Sequence, residues 1–122
     1  MPWELDSDRP IYAQIVDRLK HEIVSGFYPP GSRLPSVRDL AAQASVNPNT
    51  MQKAFTELER TGLIVTRRTS GRTVTEDTAL IEQVRSELAK LQISQFLTRM
   101  QHLGYQKDDS IRLLLAKKEE NS

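Results

Sequence analysis

The sequence predicts a mainly helical chain carrying one small β-hairpin. Three observations lead to this class. Apolar residues recur at steps of three and four in several separate segments, each bounded by Pro, Ser or Asn at its start and Gly or a turn at its end. Two short β-branched runs flank a basic turn at 67–72. A stretch with neither Pro nor Gly then runs from 77 to 103.

The first helix is expected to open at Pro10, where a missing N–H has no intrahelical partner to lose. Tyr12, Ile15, Leu19 and Ile23 give it one apolar face, and Gly26 is its stop. Phe27 and Tyr28-Pro29-Pro30-Gly31 form a stiff turn. A short second helix starts at Ser36, whose spacing to Asp39 fits a capping box; Leu40, Ala41 and Ala44 line its buried side. After the break Ser45-Val46-Asn47-Pro48, a third helix is capped by Asn47 and carries Met51, Ala54, Phe55 and Leu58 inward until Gly62 ends it. Leu63-Ile64-Val65-Thr66 and Arg72-Thr73-Val74-Thr75 read as the two strands. Leu63, Ile64 and Val74 are the expected inward anchors, because a lone hairpin is marginal in water.

Two helices separated by three or four residues, followed by a hairpin with a basic tip, describe a winged helix-turn-helix over residues 9–75. Residues 76–122 form a second, helical region. A long helix over 77–103 carries two apolar stripes, one of Ile81, Val84, Leu88 and Leu91, the other including Phe96 and Met100. A helix with two apolar faces needs two covering surfaces. Asp108 or Asp109 caps a last helix over 109–117 bearing Ile111, Leu113, Leu114 and Leu115, with a frayed tail from Glu119 to Ser122. Residues 76–122 are therefore read as a helical tail with apolar surface left to cover.

The net charge of +1 over 122 residues hides an asymmetry. Residues 1–8 hold three acids and no base, residues 9–75 hold ten bases against five acids, and residues 76–122 hold seven bases against eight acids. A basic segment between acidic flanks suits a polyanionic partner. Cysteine is absent, which excludes disulfides, Fe–S clusters, thiolate metal sites and a cysteine nucleophile; two isolated histidines, His21 and His102, do not make a zinc site. No apolar run approaches the ~20 residues of a bilayer span, and Met1–Asp8 lacks a signal-peptide core. A cytoplasmic protein without metal, cofactor or catalytic constellation is the expectation, so an enzyme is not.

Pro10-Ile11-Tyr12, Gln14-Ile15, Ile23, Gly26, Pro30-Gly31, Leu34-Pro35-Ser36, Arg38, Leu40-Ala41, Val46, Thr50, Ala54, Leu58-Glu59 and Gly62-Leu63-Ile64 stand in the order of one family pattern. In these residues the chain resembles the DNA-binding domain of the GntR family of bacterial transcription regulators, over roughly residues 9–75. The Val46-Asn47-Pro48-Asn49-Thr50 segment and the short helical tail resemble its YtrA subfamily. Other branches carry a large effector or aminotransferase-like domain, for which residues 76–122 are too few. The resemblance implies a homodimeric repressor on a pseudo-palindromic operator, with residues 76–122 as its helical dimerisation tail and ABC-type transporter genes as frequent targets of the subfamily. The sequence names no small-molecule effector.

The expected DNA contacts are Ser36 and Arg38 on the second helix, Asn47, Pro48, Asn49, Thr50, Gln52 and Lys53 at the start of the third, and Arg68, Thr69, Ser70 and Arg72 in the wing. Arg38 matches the family arginine that touches DNA, and its guanidinium can grip a phosphate or a guanine edge. Thr50 matches a family threonine and is read as a phosphate contact. Asn49 and Gln52 can pair with adenine edges, while Asn47 reads as a simple cap before it reads as a base contact. Some family members have arginine at the positions of Pro48 and Gln52. The usual wing has glycine at Thr69 and an aromatic at Thr73, which points the wing toward phosphate contact by Arg68 or Arg72 rather than close backbone insertion. Ile81, Val84, Leu88, Leu91, Phe96 and Met100 are the expected dimer contacts. The alternative assignment is a winged-helix protein-interaction module with no operator, distinguished by the salt dependence of any DNA binding.

Overall fold

The computed structural model describes residues 3–120. Its elements run α1 (Ile11–Val24), α2 (Val37–Ala44), α3 (Pro48–Arg60), β1 (Ile64–Arg67), β2 (Gly71–Val74), α4 (Thr78–His102) and α5 (Lys107–Glu120). The chain divides into two compact units, Met1–Arg85 and Ser86–Ser122. The winged helix-turn-helix lies wholly in the first.

The caps fall where the polar residues direct them. Ser36 accepts the Asp39 N–H at 3.0 Å to start α2, and Asn47 accepts the Asn49 N–H at 2.7 Å to start α3, with Pro48 as first helical residue. Ser45 ends α2 in the left-handed region at φ 58°, a conformation glycine usually supplies. Two bonds support it there: the Ser45 and Val46 N–H groups donate to the Ala42 and Ala41 carbonyls. Three residues, 45–47, thus connect the two helices.

One aliphatic core holds the first unit. Ile15, Leu19 and Ile23 of α1 meet Leu40, Ala41 and Ala44 of α2 and Met51, Ala54, Phe55 and Leu58 of α3. Leu63, Ile64 and Val74 are buried as anchors of the hairpin. The strands sit one residue later on the first arm and one earlier on the second than the composition suggests. Ile64 pairs with Val74, Thr66 with Arg72 and Arg67 with Gly71. The tip is the three-residue loop 68–70, closed by Gly71 at φ 74°, where a Cβ would be strained.

Sequence patterning missed a third edge. Residues 31–34 bond to the outer side of β2, the Leu34 N–H donating to the Arg72 carbonyl and the Val74 N–H to the Ser32 carbonyl. This pairing covers an edge that would otherwise be open. Gln14 also has a role that apolar periodicity does not show. It is buried, accepts the Asp6 N–H and donates to the Asp6 and Arg9 carbonyls, stitching the N-terminal segment to α1. Trp3 packs on the core beneath Arg18.

In the second unit, Gly104 at φ 98° ends α4, with the Gly104 and Tyr105 N–H groups donating to the Gln101 and Met100 carbonyls. The last helix starts two residues before the expected position. Asp109 caps it from inside, accepting the Gln106 N–H at 3.0 Å rather than standing at its entrance. Glu119 and Glu120 continue α5 instead of fraying; Asn121 and Ser122, like Met1 and Pro2, lie outside the described residues.

Candidate nucleic-acid interface

Helix α3 has two faces. Met51, Ala54, Phe55 and Leu58 are buried, whereas Pro48, Asn49, Gln52, Lys53 and Thr56 are exposed and fall together on the opposite side. Thr50 is half-buried at the edge. The exposed face is short, polar and N-terminal, the form a major-groove reader requires. Its members are not equally free. Gln52 donates to Thr56 Oγ1 at 3.3 Å, which orients its amide along the helix. The Lys53 ammonium lies 4.0 Å from the centroid of the Tyr12 ring, so α1 holds it over an aromatic face. Asn47 spends its side-chain oxygen on the cap, which favours the structural of its two roles.

Arg38 projects exposed from α2. Among the described residues neither Arg38 nor Arg68 has a carboxylate partner, so both charges stay available to an external anion. Thr69 is exposed and Ser70 half-buried beside Arg68 in the tip.

Ser36 and Arg72 are brought together, with Arg33 and Thr66, around a cleft of about 650 Å³ between the start of α2 and the hairpin. Here Arg72 departs from a free phosphate ligand. Its Nε donates to Glu59 Oε1 at 3.0 Å, and its guanidinium lies 5.3 Å from the centroid of the Phe55 ring. Thr66 donates to the other carboxylate oxygen of Glu59 at 2.6 Å. The Thr66 hydroxyl and then Arg72 hold the Glu59 carboxyl below its ordinary value, against the opposing pull of burial. Glu59 and Thr66 had no assigned role in the sequence. The periodic pattern identifies apolar faces, and a carboxylate that reaches two strands has no periodicity to show.

The expected dimer contacts divide. Ile81 is 4 % exposed within the first unit's own core, and this corrects its placement on a pairing face: the start of α4 covers the winged domain with that side chain. Val84 packs half-buried against the same core. Leu88, Phe96 and Met100 are half-buried in the second unit and Leu91 is 52 % exposed. Ile93, Leu103, Ile111, Leu113, Leu114 and Leu115 are exposed as well. Groups of His, Cys, Asp or Glu able to hold a metal are absent among the described residues.

Comparison with known proteins matches this architecture. Residues 11–74 fit the family described as bacterial regulatory proteins, gntR family. The chain is 40 % identical over 100 residues to the HTH-type transcriptional repressor YtrA of Bacillus subtilis, covering 80 % of this chain and 76 % of YtrA. A GntR family transcriptional regulator from Listeria monocytogenes superposes with a TM-score of 0.82 at 42 % identity, over 92 % of this chain and 98 % of that one. AraR(DBD), solved in complex with operator ORX1, superposes with a TM-score of 0.52 at 26 % identity, over 62 % of this chain and 92 % of that one. These relatives are regulators rather than enzymes. The winged reader, its polar α3 face and these matches together make the chain a member of the GntR family, a YtrA-like transcriptional regulator with a DNA-binding helix-turn-helix.

Proposed function

We propose that the protein is a homodimeric repressor that binds a pseudo-palindromic operator, reading base edges with α3 and gripping phosphates with Arg38 and the wing. The observation that carries the reading is the exposed polar face of α3 beside two unpaired arginines. Asn49 and Gln52 are the base readers; Ser36, Thr50, Lys53, Arg68, Thr69, Ser70 and Arg72 position the backbone. The sign of regulation is taken from the YtrA relative, which is a repressor, and the operator from AraR, solved on one. Transporter genes as targets follow the subfamily resemblance alone.

Residues 9–75 are proposed as the reader and 76–122 as the pairing region, with Leu88, Leu91, Phe96 and Met100 in the interface and Val84 at its margin. The exposed leucines and isoleucines of the second unit support this, because so many large apolar side chains left in water favour a covering partner. Pairing would set two α3 helices about 34–36 Å apart, one turn of DNA. No helix among the described residues is long and apolar enough to cross a membrane. Action on a DNA operator supports a cytoplasmic location.

The test is selection of bound duplexes from a random pool, followed by gel shifts at several salt concentrations. Enrichment of an inverted repeat, with affinity falling steeply as salt rises, is the expected result. Recovery of no sequence, or affinity indifferent to salt, would favour the interaction-module reading. Sedimentation at micromolar concentration should give a dimer; a monomer would remove the spacing mechanism.

A further inference from the structure

The hairpin is anchored differently at its two ends. At its base, Ile64 and Val74 face each other and are both buried. Nearer the tip, the opposed pair is Thr66, which is exposed, and Arg72, which is half-buried, its carbonyl bonded by the Leu34 N–H and its guanidinium 5.3 Å from the Phe55 ring centroid. Both members of that pair converge on Glu59, in the last turn of α3. Thr66 Oγ1 donates to Oε2 at 2.6 Å and Arg72 Nε to Oε1 at 3.0 Å. One carboxylate therefore binds both strands to the reading helix, one cross-strand pair back from the tip. The contact is partly shielded, with Arg72 and Glu59 side chains 28 % and 30 % exposed, unlike the open pair Arg67–Glu76 at 4.0 Å.

We propose that Glu59 is a positioning residue for DNA binding, a latch that fixes the wing relative to α3 so that both can engage one duplex together. This rests on the DNA-binding reading above. It also recasts Arg72 as a strut of the wing first and a phosphate ligand second. Arg68, unpaired at the tip, is then the wing's main grip.

The latch and simple electrostatics predict opposite signs. Glu59 is a negative charge in a DNA-facing unit, so its removal should tighten binding to a polyanion if charge were all that mattered. Loss of the latch should loosen binding instead. The full-length Glu59→Ala protein is therefore expected to bind a selected operator roughly tenfold more weakly, the equivalent of one charge-assisted hydrogen bond. The salt slope should be unchanged, because no phosphate contact is lost. Thr66→Val, which alters no charge and removes only the β1 half of the latch, should weaken binding in the same direction by less. Without DNA, amide hydrogen exchange at 67–71 should accelerate in both variants while exchange in α1 stays as it was. Equal or tighter binding by Glu59→Ala, or unaltered tip exchange, overturns the proposal. If the unmodified protein binds no selected duplex, the DNA-binding reading has failed, and tip exchange alone then decides whether the latch exists.

Discussion

The two units of this chain use similar residues to opposite ends. In the first, most large apolar side chains are consumed: Leu19, Leu40, Phe55, Leu58 and Leu63 are fully buried, and Phe27, in the turn after α1, is the exception at 68 % exposed. In the second, Leu103 is 73 % exposed, Ile93 57 % and Leu115 56 %, while the one fully buried side chain of α5 is Ser110, bonded back to the Gln106 carbonyl. The contrast separates two meanings of an apolar stripe. One that matches a neighbouring helix becomes core. One left in water exposes apolar surface at a cost that association would recover.

The sharpest way to break the comparison is to truncate one residue in each unit. Phe55→Ala removes a buried ring from the core of the first unit and should cost about 3–5 kcal/mol, a large share of the roughly 5–15 kcal/mol that holds a small domain folded, as read by thermal denaturation. Leu114→Ala removes a half-exposed side chain and should leave that melting transition within about 0.5 kcal/mol. Comparable losses from the two changes would mean that the second unit is as fully packed as the first.

A charge on the pairing stripe tests what covers it. Leu88→Asp and Leu91→Asp should raise the dimer dissociation constant at least tenfold, or about 1.4 kcal/mol, because an unpaired carboxylate would be buried on association. Sedimentation equilibrium measures this, and the first unit's unfolding should not move. A dimer that survives both substitutions would shift the interface to α5.

How legible each unit was follows from the same contrast. The helices of the first unit announced themselves through apolar periodicity and through caps such as Ser36 and Asn47, since both are local signals. The inward anchors Leu63, Ile64 and Val74 were equally visible. What stayed hidden was non-local or without period: the 31–34 edge on β2, the Gln14 stitch, and Glu59 joining two strands. In the second unit the stripe on α4 was plain, but Ile81 was assigned to the wrong partner. A period says that a face is apolar and does not say which surface covers it.

Within the reader, base contacts should separate from phosphate contacts. Asn49→Ala and Gln52→Ala are each expected to cost about 1–3 kcal/mol on the preferred sequence and little on unrelated DNA. Arg68→Ala should weaken all sequences alike and reduce the salt slope by about one. Competition gel shifts against scrambled duplexes resolve the two patterns. Uniform weakening by Gln52→Ala would reassign it to the backbone.

The smallest effect expected is in pH. Hydrogen bonds from Thr66 and then Arg72 lower the Glu59 pKa below 4.5, its ordinary value; a hydrogen bond from Arg60 does the same at Glu57. A carboxylate more acidic in the folded state than in the unfolded one contributes stability that is complete above the unfolded value and is lost as pH falls through the folded one. The window therefore lies below 4.5. Glu57 sits on the surface beside Arg60, in a pairing that water screens, so little of the acid loss should belong to it. Melting temperatures of the unmodified protein and Glu59→Ala should differ at neutral pH and converge as pH drops through that window. A constant offset across the range would mean that the carboxylate is as easily protonated in the folded protein as in the unfolded chain, and that the hairpin is held at its tip by packing on Phe55 rather than by charge.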